Sequence, residues 1–300
     1  MKIQTECVPC LLKRIIFEAE LSTDNKDLQV ETLKNAVKVL AELYDPNVCS
    51  ASIATRVHKV AYETLGDVDP YKKLKSLSNR VAMSLVPRVE ELVKESADPL
   101  KTSMICSIVG NMMDFGIEGG SKSPKDLIDI FERYVSKGLG HDDYDKVKRL
   151  LSKSRNVLFF TDNCGEIVFD KILCREIKKA FPNIFLTLVV KGEFILSDAT
   201  MEDAVTLGFD DVVDEILTTG CFAVGVDFDN IPSVLREKLA GSDLIICKGM
   251  ANYESFSETD YRPIVYLLRT KCKAIANSMD LPLNINVIKV DSVKISTSIS

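Results

Sequence analysis

The sequence has no apolar run long enough to span a bilayer and no excess of positive charge. A transmembrane helix needs about 18 or more consecutive apolar residues, so none is expected. The 38 Lys and Arg residues against 44 Asp and Glu residues give a net charge of −6 (38 − 44). Proteins that bind nucleic acid or an anionic membrane usually present a basic face, so neither partner is expected.

Histidine is scarce, and cysteine occurs in an odd number. His58 and His141 have no spacing that would complete a zinc site, which normally takes four ligands. Nine cysteines, in a chain whose amino terminus lacks a signal-peptide pattern, favour free thiols in the cytoplasm over a disulfide framework. Cys7 and Cys10 form a single CxxC pair, which we interpret as structural or weakly redox-sensitive; half of a metal site is the alternative.

Motifs of four common enzyme classes are also missing. The sequence contains no G-x-G-x-x-G, no G-x-x-x-x-G-K-S/T, no G-x-S-x-G and no H-E-x-x-H. In their structural contexts these motifs bind a dinucleotide, cradle nucleotide phosphates, present a nucleophilic serine and hold a catalytic zinc ion. Dehydrogenases, P-loop NTPases, serine hydrolases and zincins are therefore disfavoured.

Residues 1–150 and residues 151–300 differ in their hydrophobic patterning. Apolar residues at helical spacings predict a mainly helical amino-terminal region in the first part. In the second part, short apolar runs alternate with helical segments, which predicts a mainly parallel sheet with helices on both faces. The predicted fold class is α/β, with a three-layer α/β/α core in the carboxy-terminal half. The predicted strands are 157–160, 184–190, 212–217, 244–247, 274–276 and 286–290.

Polar residues follow the first two predicted strands. Asp162 and Asn163 come directly after strand 157–160, and Asp198 follows the second strand by a short loop. Ligands of open parallel sheets bind beyond the carboxyl ends of the strands, and carboxylate and amide oxygens suit a hard cation. These three residues therefore predict a metal site, beside a helix N-terminus that suits phosphate. Capping of the two following helices is the alternative, because Asp and Asn are common N-caps.

A lysine follows the predicted strand 244–247 at the same edge of the sheet. Lys248 stands directly before Gly249, where its ammonium would neutralise a phosphoryl oxygen as a point charge. A solvated surface lysine is the alternative. Thr218 and Thr219 place hydroxyl groups at the end of another predicted strand on this edge.

Five motifs together resemble those of one known family. They are Cys7-x-x-Cys10, Gly110-Asn111-x-x-Asp114-Phe115-Gly116, Asp162-Asn163-x-Gly165-Glu166, Asp198-Ala199-Thr200 and Lys248-Gly249-x-x-Asn252-Tyr253-Glu254. From residue 7 to about residue 280 the sequence is similar to the damage-control phosphatases, formerly domain of unknown function 89. The CxxC pair makes it look like the stand-alone prokaryotic branch, archaeal more than bacterial.

The resemblance implies metal-dependent hydrolysis of phosphomonoesters, with Mn²⁺, Ni²⁺, Co²⁺ or Mg²⁺ as the ion. The metal ligands of the family carry over onto Asp162, Asn163 and Asp198, and its phosphate-binding lysine carries over onto Lys248. We expect Asp162 and Lys248 to be the catalytic residues. The expected substrate-binding residues are Lys248, Glu166, Asn252, Asn111 and Asp114.

Two departures from the family pattern are visible. Ser197 stands where family members usually have an asparagine before the second aspartate. The Arg-Thr-x-Lys motif of other branches is only partly present, as Arg269-Thr270-Lys271, and receives no role from the sequence.

The sequence thus predicts a cytoplasmic, metal-dependent phosphatase for small phosphorylated metabolites, such as sugar phosphates or damaged metabolites. A methyltransferase that uses S-adenosylmethionine is one alternative, because that cofactor also binds at strand ends, although its glycine-rich turn is poorly matched here. A protein that binds a metal or a phosphometabolite without turnover is the other. The sequence leaves the oligomeric state open.

Overall fold

The computed structural model of the chain describes residues 1–111 and 124–292. Its amino-terminal region is helical, as predicted, and two of the helices begin at side-chain caps. The Asn25 side chain accepts from the backbone of Asp27 and Leu28, and the Asp98 side chain accepts from the backbone of Lys101. These helices are α1 (Cys7–Ser22), α2 (Lys26–Leu43), α3 (Ser50–Leu65), α4 (Lys72–Glu95), α5 (Pro99–Gly110) and α6 (Pro124–Ser136).

Strands and helices alternate after residue 140. The first elements are β1 (His141–Asp142), α7 (Tyr144–Leu151), β2 (Asn156–Phe160), α8 (Glu166–Ala180), β3 (Phe185–Val190) and α9 (Met201–Thr206). A short 3₁₀ turn at Phe209–Asp211 precedes the rest. The remaining elements are β4 (Glu215–Thr218), α10 (Ser233–Ala240), β5 (Leu244–Lys248), α11 (Gly249–Phe256), β6 (Ile264–Arg269), α12 (Lys273–Met279) and β7 (Asn286–Asp291).

The seven strands form one sheet in the order β1-β7-β6-β5-β2-β3-β4. All neighbouring pairs are parallel except β6 and β7. Strand β2 lies between β3 and β5, so the chain leaves it in one direction and later returns to its other side. The carboxyl ends of β2 and β5 are therefore at a switch point of the topology, where open α/β sheets bind their ligands.

Alternate residues of the central strand face two different helical layers. Val157 and Phe159 pack in one buried cluster with residues of α5, α7 and α8. Leu158 and Phe160 pack in a second cluster with residues of α10, α11 and α12. Helices thus cover both faces of a mostly parallel sheet, which confirms the predicted α/β fold class.

One predicted strand is wrong, and two observed strands were not predicted. Residues 274–276 lie in helix α12, whose first turn is capped by the Cys272 sulfur accepting from the Ile275 backbone. Ala-Ile-Ala is too short for hydrophobic periodicity to separate strand from helix, and alanine favours the helix. The missed strands are β6, a continuous apolar run, and the two-residue β1.

The division of the chain into a helical region, residues 1–150, and an α/β core, residues 151–300, remains a prediction. Within the described residues no helix combines the length and apolar character needed to cross a membrane.

Candidate functional site

The backbone brings Asp162 and Asp198 together although 36 residues separate them (198 − 162). Asp162 follows β2, and its carbonyl oxygen accepts from the Ala199 backbone at 2.8 Å. Asn163 and Asp198 form an isolated antiparallel bridge next to this bond. The predicted metal-binding residues Asp162, Asn163 and Asp198 therefore lie side by side at the carboxyl ends of β2 and β3.

Neither aspartate caps a helix. The N-cap of α8 is Gly165, and the N-cap of α9 is Thr200, which forms a capping box with Asp203. The capping interpretation therefore does not account for Asp162 or Asp198. Both side chains are buried, and a buried carboxylate needs a compensating charge or hydrogen bonds.

The Asp162 carboxylate is held by two neutral amides. The side-chain nitrogens of Asn111 and Asn163 each donate to its Oδ2 at 2.7 Å. Burial raises the pKa of Asp162 well above its ordinary value, and the nearby carboxylates of Glu166 and Asp198 raise it further. Asp162 is thus a buried acid whose direct hydrogen-bond donors carry no charge.

Ser197 contacts the predicted ligand set directly. Its hydroxyl donates to the Oδ1 atom of Asn163 at 2.6 Å, which is the oxygen that a cation would use. The departure from the family's usual asparagine therefore lies beside the site and affects the orientation of the Asn163 amide.

Lys248 ends β5 and is completely buried, with 0% of its surface exposed. Its ammonium donates to Glu166, to Asp170 Oδ1 at 2.6 Å and to the carbonyl oxygen of Ser107 at 3.3 Å. Burial by itself lowers the pKa of Lys248, but Asp170 and Glu166 outweigh it and the pKa is raised. All three N–H groups have protein acceptors, so the predicted phosphate contact requires Lys248 to exchange one of them.

Asp170 is a site residue that the sequence analysis missed. Besides Lys248, its Oδ1 accepts from the Ser107 hydroxyl at 2.6 Å, and its Oδ2 has no hydrogen-bond partner among the described residues. Burial raises the pKa of Asp170 to about 6, although the Lys248 ammonium lowers it. The spacing of Glu166 and Asp170 was the available signal, because residues four apart share one face of a helix.

Lys191 is a second missed residue. It follows β3, its ammonium lies 3.3 Å from Asp198 Oδ2, and it also donates to the Gly225 carbonyl oxygen. Burial raises the pKa of Asp198 despite this lysine. Lys191 therefore ties a predicted metal ligand to the loop after β4.

The buried charges at this edge do not balance. Lys248 is paired with Glu166 and Asp170, and Lys191 is paired with Asp198, which leaves Asp162 without a contacting cation among the described residues. When all are ionised, two lysines against four carboxylates leave a charge of −2 (2 − 4). A carboxyl group with a raised pKa makes the native state less stable at pH values above that pKa, and this penalty disappears as the pH falls. A bound divalent cation would remove it at neutral pH.

The other predicted substrate-binding residues lie in or beside this cluster. Glu166 is buried and accepts from the side chains of Lys248 and Asn111 and from the Asn163 backbone at 3.4 Å. Asn252 donates to the carbonyl oxygens of Thr161 at 2.9 Å and Lys248 at 2.8 Å, so its amide nitrogen joins the end of β2 to the start of α11. Asp114 lies outside the described residues.

Asn79 connects the helical region to the site. Its amide oxygen accepts from the Gly165 backbone at 2.6 Å, and its amide nitrogen donates to Asp203 Oδ1 at 2.8 Å. One side chain of α4 therefore holds the start of α8 and the capping box of α9. No sequence motif marks this residue.

The donors fit a hard cation better than a soft one. Asp162, Asn163 and Asp198 offer carboxylate and amide oxygens, which suit Mg²⁺ and Mn²⁺. Over residues 1–111 and 124–292, no group of three or more His, Cys, Asp or Glu side chains is arranged to hold a metal ion. The fit therefore depends on the amide of Asn163 as the third donor. Within the same residues, Cys7 and Cys10 belong to no group of side chains that could hold a metal ion.

We expect substitution of Gly249 by alanine to damage the site. Gly249 has a φ of +73°, and an added Cβ would overlap the Asp162 carboxylate. Backbone strain and displacement of Asp162 should together lower the free energy of unfolding by more than about 2 kcal/mol and weaken metal binding. Gly66→Ala is the matched control, because Gly66 has a φ of +65° and open space around it. Equal effects of the two substitutions in urea unfolding and metal titration would show that strain alone matters.

Fold and site together define an α/β protein with an acidic, strand-end site, and comparison with known proteins gives the family. Residues 3–285 match the family model described as the damage-control phosphatase ARMT1-like domain. The chain belongs to this damage-control phosphatase family, which confirms the resemblance seen in the sequence.

Archaeal relatives match over nearly their whole lengths. The chain is 42% identical over 290 residues to a protein of Archaeoglobus fulgidus named damage-control phosphatase, covering 97% of this chain and 99% of the relative. It is 29% identical over 282 residues to a damage-control phosphatase of Pyrococcus horikoshii, covering 94% and 96%. The crystal structure of a Pyrococcus horikoshii protein of the domain-of-unknown-function-89 family superposes with a TM-score of 0.89 at 28% identity, covering 97% of this chain and all of that one.

Proposed function

We propose that this protein is a metal-dependent phosphatase that hydrolyses small phosphorylated metabolites. Family membership supports a phosphatase engaged in metabolite repair. The observation that carries the metal dependence is the set of four buried carboxyl groups that faces only two buried lysines at the carboxyl ends of β2, β3 and β5, a surplus charge of −2 (2 − 4) once all six groups are ionised. One divalent cation has the charge that this surplus calls for.

Asp162, Asn163 and Asp198 would hold the cation. When bound, a divalent cation polarises a phosphoryl group, lowers the pKa of bound water and neutralises charge on the reacting oxygens. Asp162 contributes most, because its present hydrogen-bond donors are neutral amides, whereas Asp198 is already paired with Lys191. Mn²⁺, Ni²⁺, Co²⁺ and Mg²⁺ are the proposed ions.

The two buried lysines keep the other carboxylates in place. Lys248 holds Glu166 and Asp170 beneath the ligand cluster, and Asn111 bridges Glu166 to Asp162. In this arrangement Asp162 lies at the switch point of the sheet, whereas Glu166 and Asp170 stay neutralised by Lys248. Lys248 then supports the phosphoryl group either by its charge or by exchanging one acceptor for a phosphate oxygen.

Hydrolysis of p-nitrophenyl phosphate by the purified protein tests the proposal. After treatment with EDTA we expect no turnover, and we expect addition of Mn²⁺, Ni²⁺, Co²⁺ or Mg²⁺ to restore it. Turnover that persists in EDTA would contradict the metal dependence. Absence of turnover with every cation, together with binding of a cation and inorganic phosphate, would favour a non-catalytic binding protein. Binding of S-adenosylmethionine without metal would favour the methyltransferase.

A further inference from the structure

All nine cysteines lie within the described residues as free thiols, and they differ in their access to solvent. Cys10 alone is exposed. Burial raises the pKa of four enclosed thiols, which keeps them protonated and unreactive. These four are Cys106, Cys164, Cys174 and Cys247. Cys10 is therefore the thiol that a dissolved oxidant reaches most readily.

Cys7 and Cys10 lie in the first turn of the same helix. Cys7 is the first residue of α1 and Cys10 follows three residues later, so both lie on one face of the helix. This spacing separates their Cα atoms by about 5 Å, within the range of roughly 4.4–6.8 Å that a disulfide spans. Their Cβ atoms must approach each other by roughly 1–2 Å. The N-cap residue Glu6 makes no side-chain hydrogen bond to the helix, so the first turn can adjust without losing a cap.

Cys7 is half-buried where the helical region meets the α/β core. It packs against the buried cluster formed by α1, α2 and α3, and also against the cluster that contains residues of α10, α11 and α12. Burial raises the pKa of Cys7, and Glu254, Cys272 and Cys10 raise it further. A shielded, protonated thiol thus stands beside an exposed one, as expected of a thiol that reacts second, after its partner has been oxidised.

A cation lies one turn beyond the exposed thiol. Arg14 follows Cys10 by four residues, on the same face of α1. Burial lowers the pKa of Arg14, but Tyr71, Glu18 and the Cys10 thiolate outweigh it, so the guanidinium is near enough to interact with the Cys10 sulfur. Reactive cysteines lie in partly exposed surroundings of this kind, next to a positive charge.

We propose that Cys7 and Cys10 form a reversible redox site, at which a hydroperoxide oxidises the two thiols to a disulfide. The Cys10 thiolate attacks a peroxide oxygen, an S–O bond forms as the O–O bond breaks, and the departing oxygen takes up the proton released by the Cys10 thiol. The Cys7 sulfur then attacks the Cys10 sulfur, an S–S bond forms as the S–O bond breaks, and hydroxide leaves with the Cys7 proton as water. The two thiols lose two electrons, which the peroxide gains.

A small dithiol would reverse the reaction by thiol–disulfide exchange, because exposed or strained disulfides are the labile ones. The inference does not depend on the proposed phosphatase function, since neither cysteine belongs to the candidate metal site. It does give the CxxC pair a chemical role that the metal site leaves open.

Counting the free thiols after treatment with hydrogen peroxide tests the proposal. The reduced protein carries nine cysteines that can be alkylated after unfolding. When the folded protein is first treated with a small molar excess of hydrogen peroxide, we expect seven (9 − 2), and dithiothreitol should restore all nine. Trypsin cleaves after Lys2 and Lys13, and peptide 3–13 holds both cysteines. Mass spectrometry should find this peptide lighter by two hydrogen atoms.

Three single variants separate the two steps. Cys10→Ser should keep all eight of its remaining thiols (9 − 1), because the thiol that attacks the peroxide is gone. Cys7→Ser should stop at the sulfenic acid of Cys10, which dimedone labels. Cys221→Ser is the matched control, because Cys221 is half-buried like Cys7. It should lose two thiols, as the wild-type protein does.

Cys272 is the competing partner for Cys10. Burial raises the pKa of Cys272, and Cys10 is near enough to contribute. The Cys272 sulfur, however, already caps α12 by accepting from the Ile275 backbone at 3.4 Å. A disulfide from Cys10 to Cys272, nine remaining thiols in the treated wild-type protein, or equal loss in Cys10→Ser and Cys221→Ser would overturn the proposal.

Discussion

Replacement of Lys248 by methionine should lower the free energy of unfolding of the metal-free protein by about 3–5 kcal/mol at pH 8. The substitution replaces the lysine by an unbranched apolar side chain of similar length and leaves Glu166 and Asp170 buried without their cation. Removing one partner of a buried ion pair has a cost of this size, because the remaining charge is desolvated and unpaired. Urea unfolding of the wild-type and variant proteins measures the difference.

The pH dependence of this difference identifies its cause. Burial already holds the pKa of Asp170 at about 6 while Lys248 lowers it, so removal of the lysine should raise that pKa further. Protonation then relieves the unpaired charge, and the variant should regain stability relative to wild type as the pH falls from 8 to 5. Lys146→Met is the control, since its ion pair with Asp143 lies at the surface and should contribute less than about 1 kcal/mol. Wild-type stability of Lys248→Met at pH 8 would contradict the pairing.

Asp162→Asn should nearly abolish metal-dependent turnover while leaving the fold intact. The change removes one negative charge from the proposed ligand set, and asparagine can still accept from Asn111 and Asn163. We expect a loss in turnover of at least about 100-fold, because changes even among groups that only support metal ligands cost 10- to 100-fold. The metal-free variant should be as stable as wild type or more stable, since it no longer buries an uncompensated acid.

Asp98→Asn is the matched control for this substitution. Asp98 is a true N-cap, accepting from the Lys101 backbone at 3.1 Å, and asparagine caps a helix about as well as aspartate. Turnover of Asp98→Asn should stay close to that of wild type. If Asp162→Asn behaved in the same way, Asp162 would have no role as a metal ligand.

The sequence predicts most of the sheet because its central strands are buried on both faces. Such strands appear as continuous apolar runs, and five of the six predicted strands overlap observed ones, namely β2, β3, β4, β5 and β7. The meeting of Asp162 and Asp198 also follows from the sequence, because parallel strands share a carboxyl edge. Strand β6, Ile264–Arg269, is also a continuous apolar run, so the same criterion applied to these residues would have predicted it.

The details of the site depend on packing between distant elements. A lysine after a strand has the same sequence context whether it is solvated or buried, so the enclosure of Lys248 by Glu166 and Asp170 could not be predicted. Asn79 reaches the site from α4 without any motif. The contact between Lys271 and Asn111 joins residues 160 positions apart, and the local sequence around either residue does not predict it.

Calorimetric titration of metal-free protein with Mn²⁺ at pH 7 tests the central claim most directly, namely that the four carboxyl groups and two lysines buried around Asp162 accommodate one divalent cation. We predict binding of about one Mn²⁺ per chain to wild type and to Asp98→Asn, with the affinity reduced at least about 100-fold in Asp162→Asn. No Mn²⁺ binding by the wild-type protein, or equal affinity in wild type and Asp162→Asn, would contradict the account.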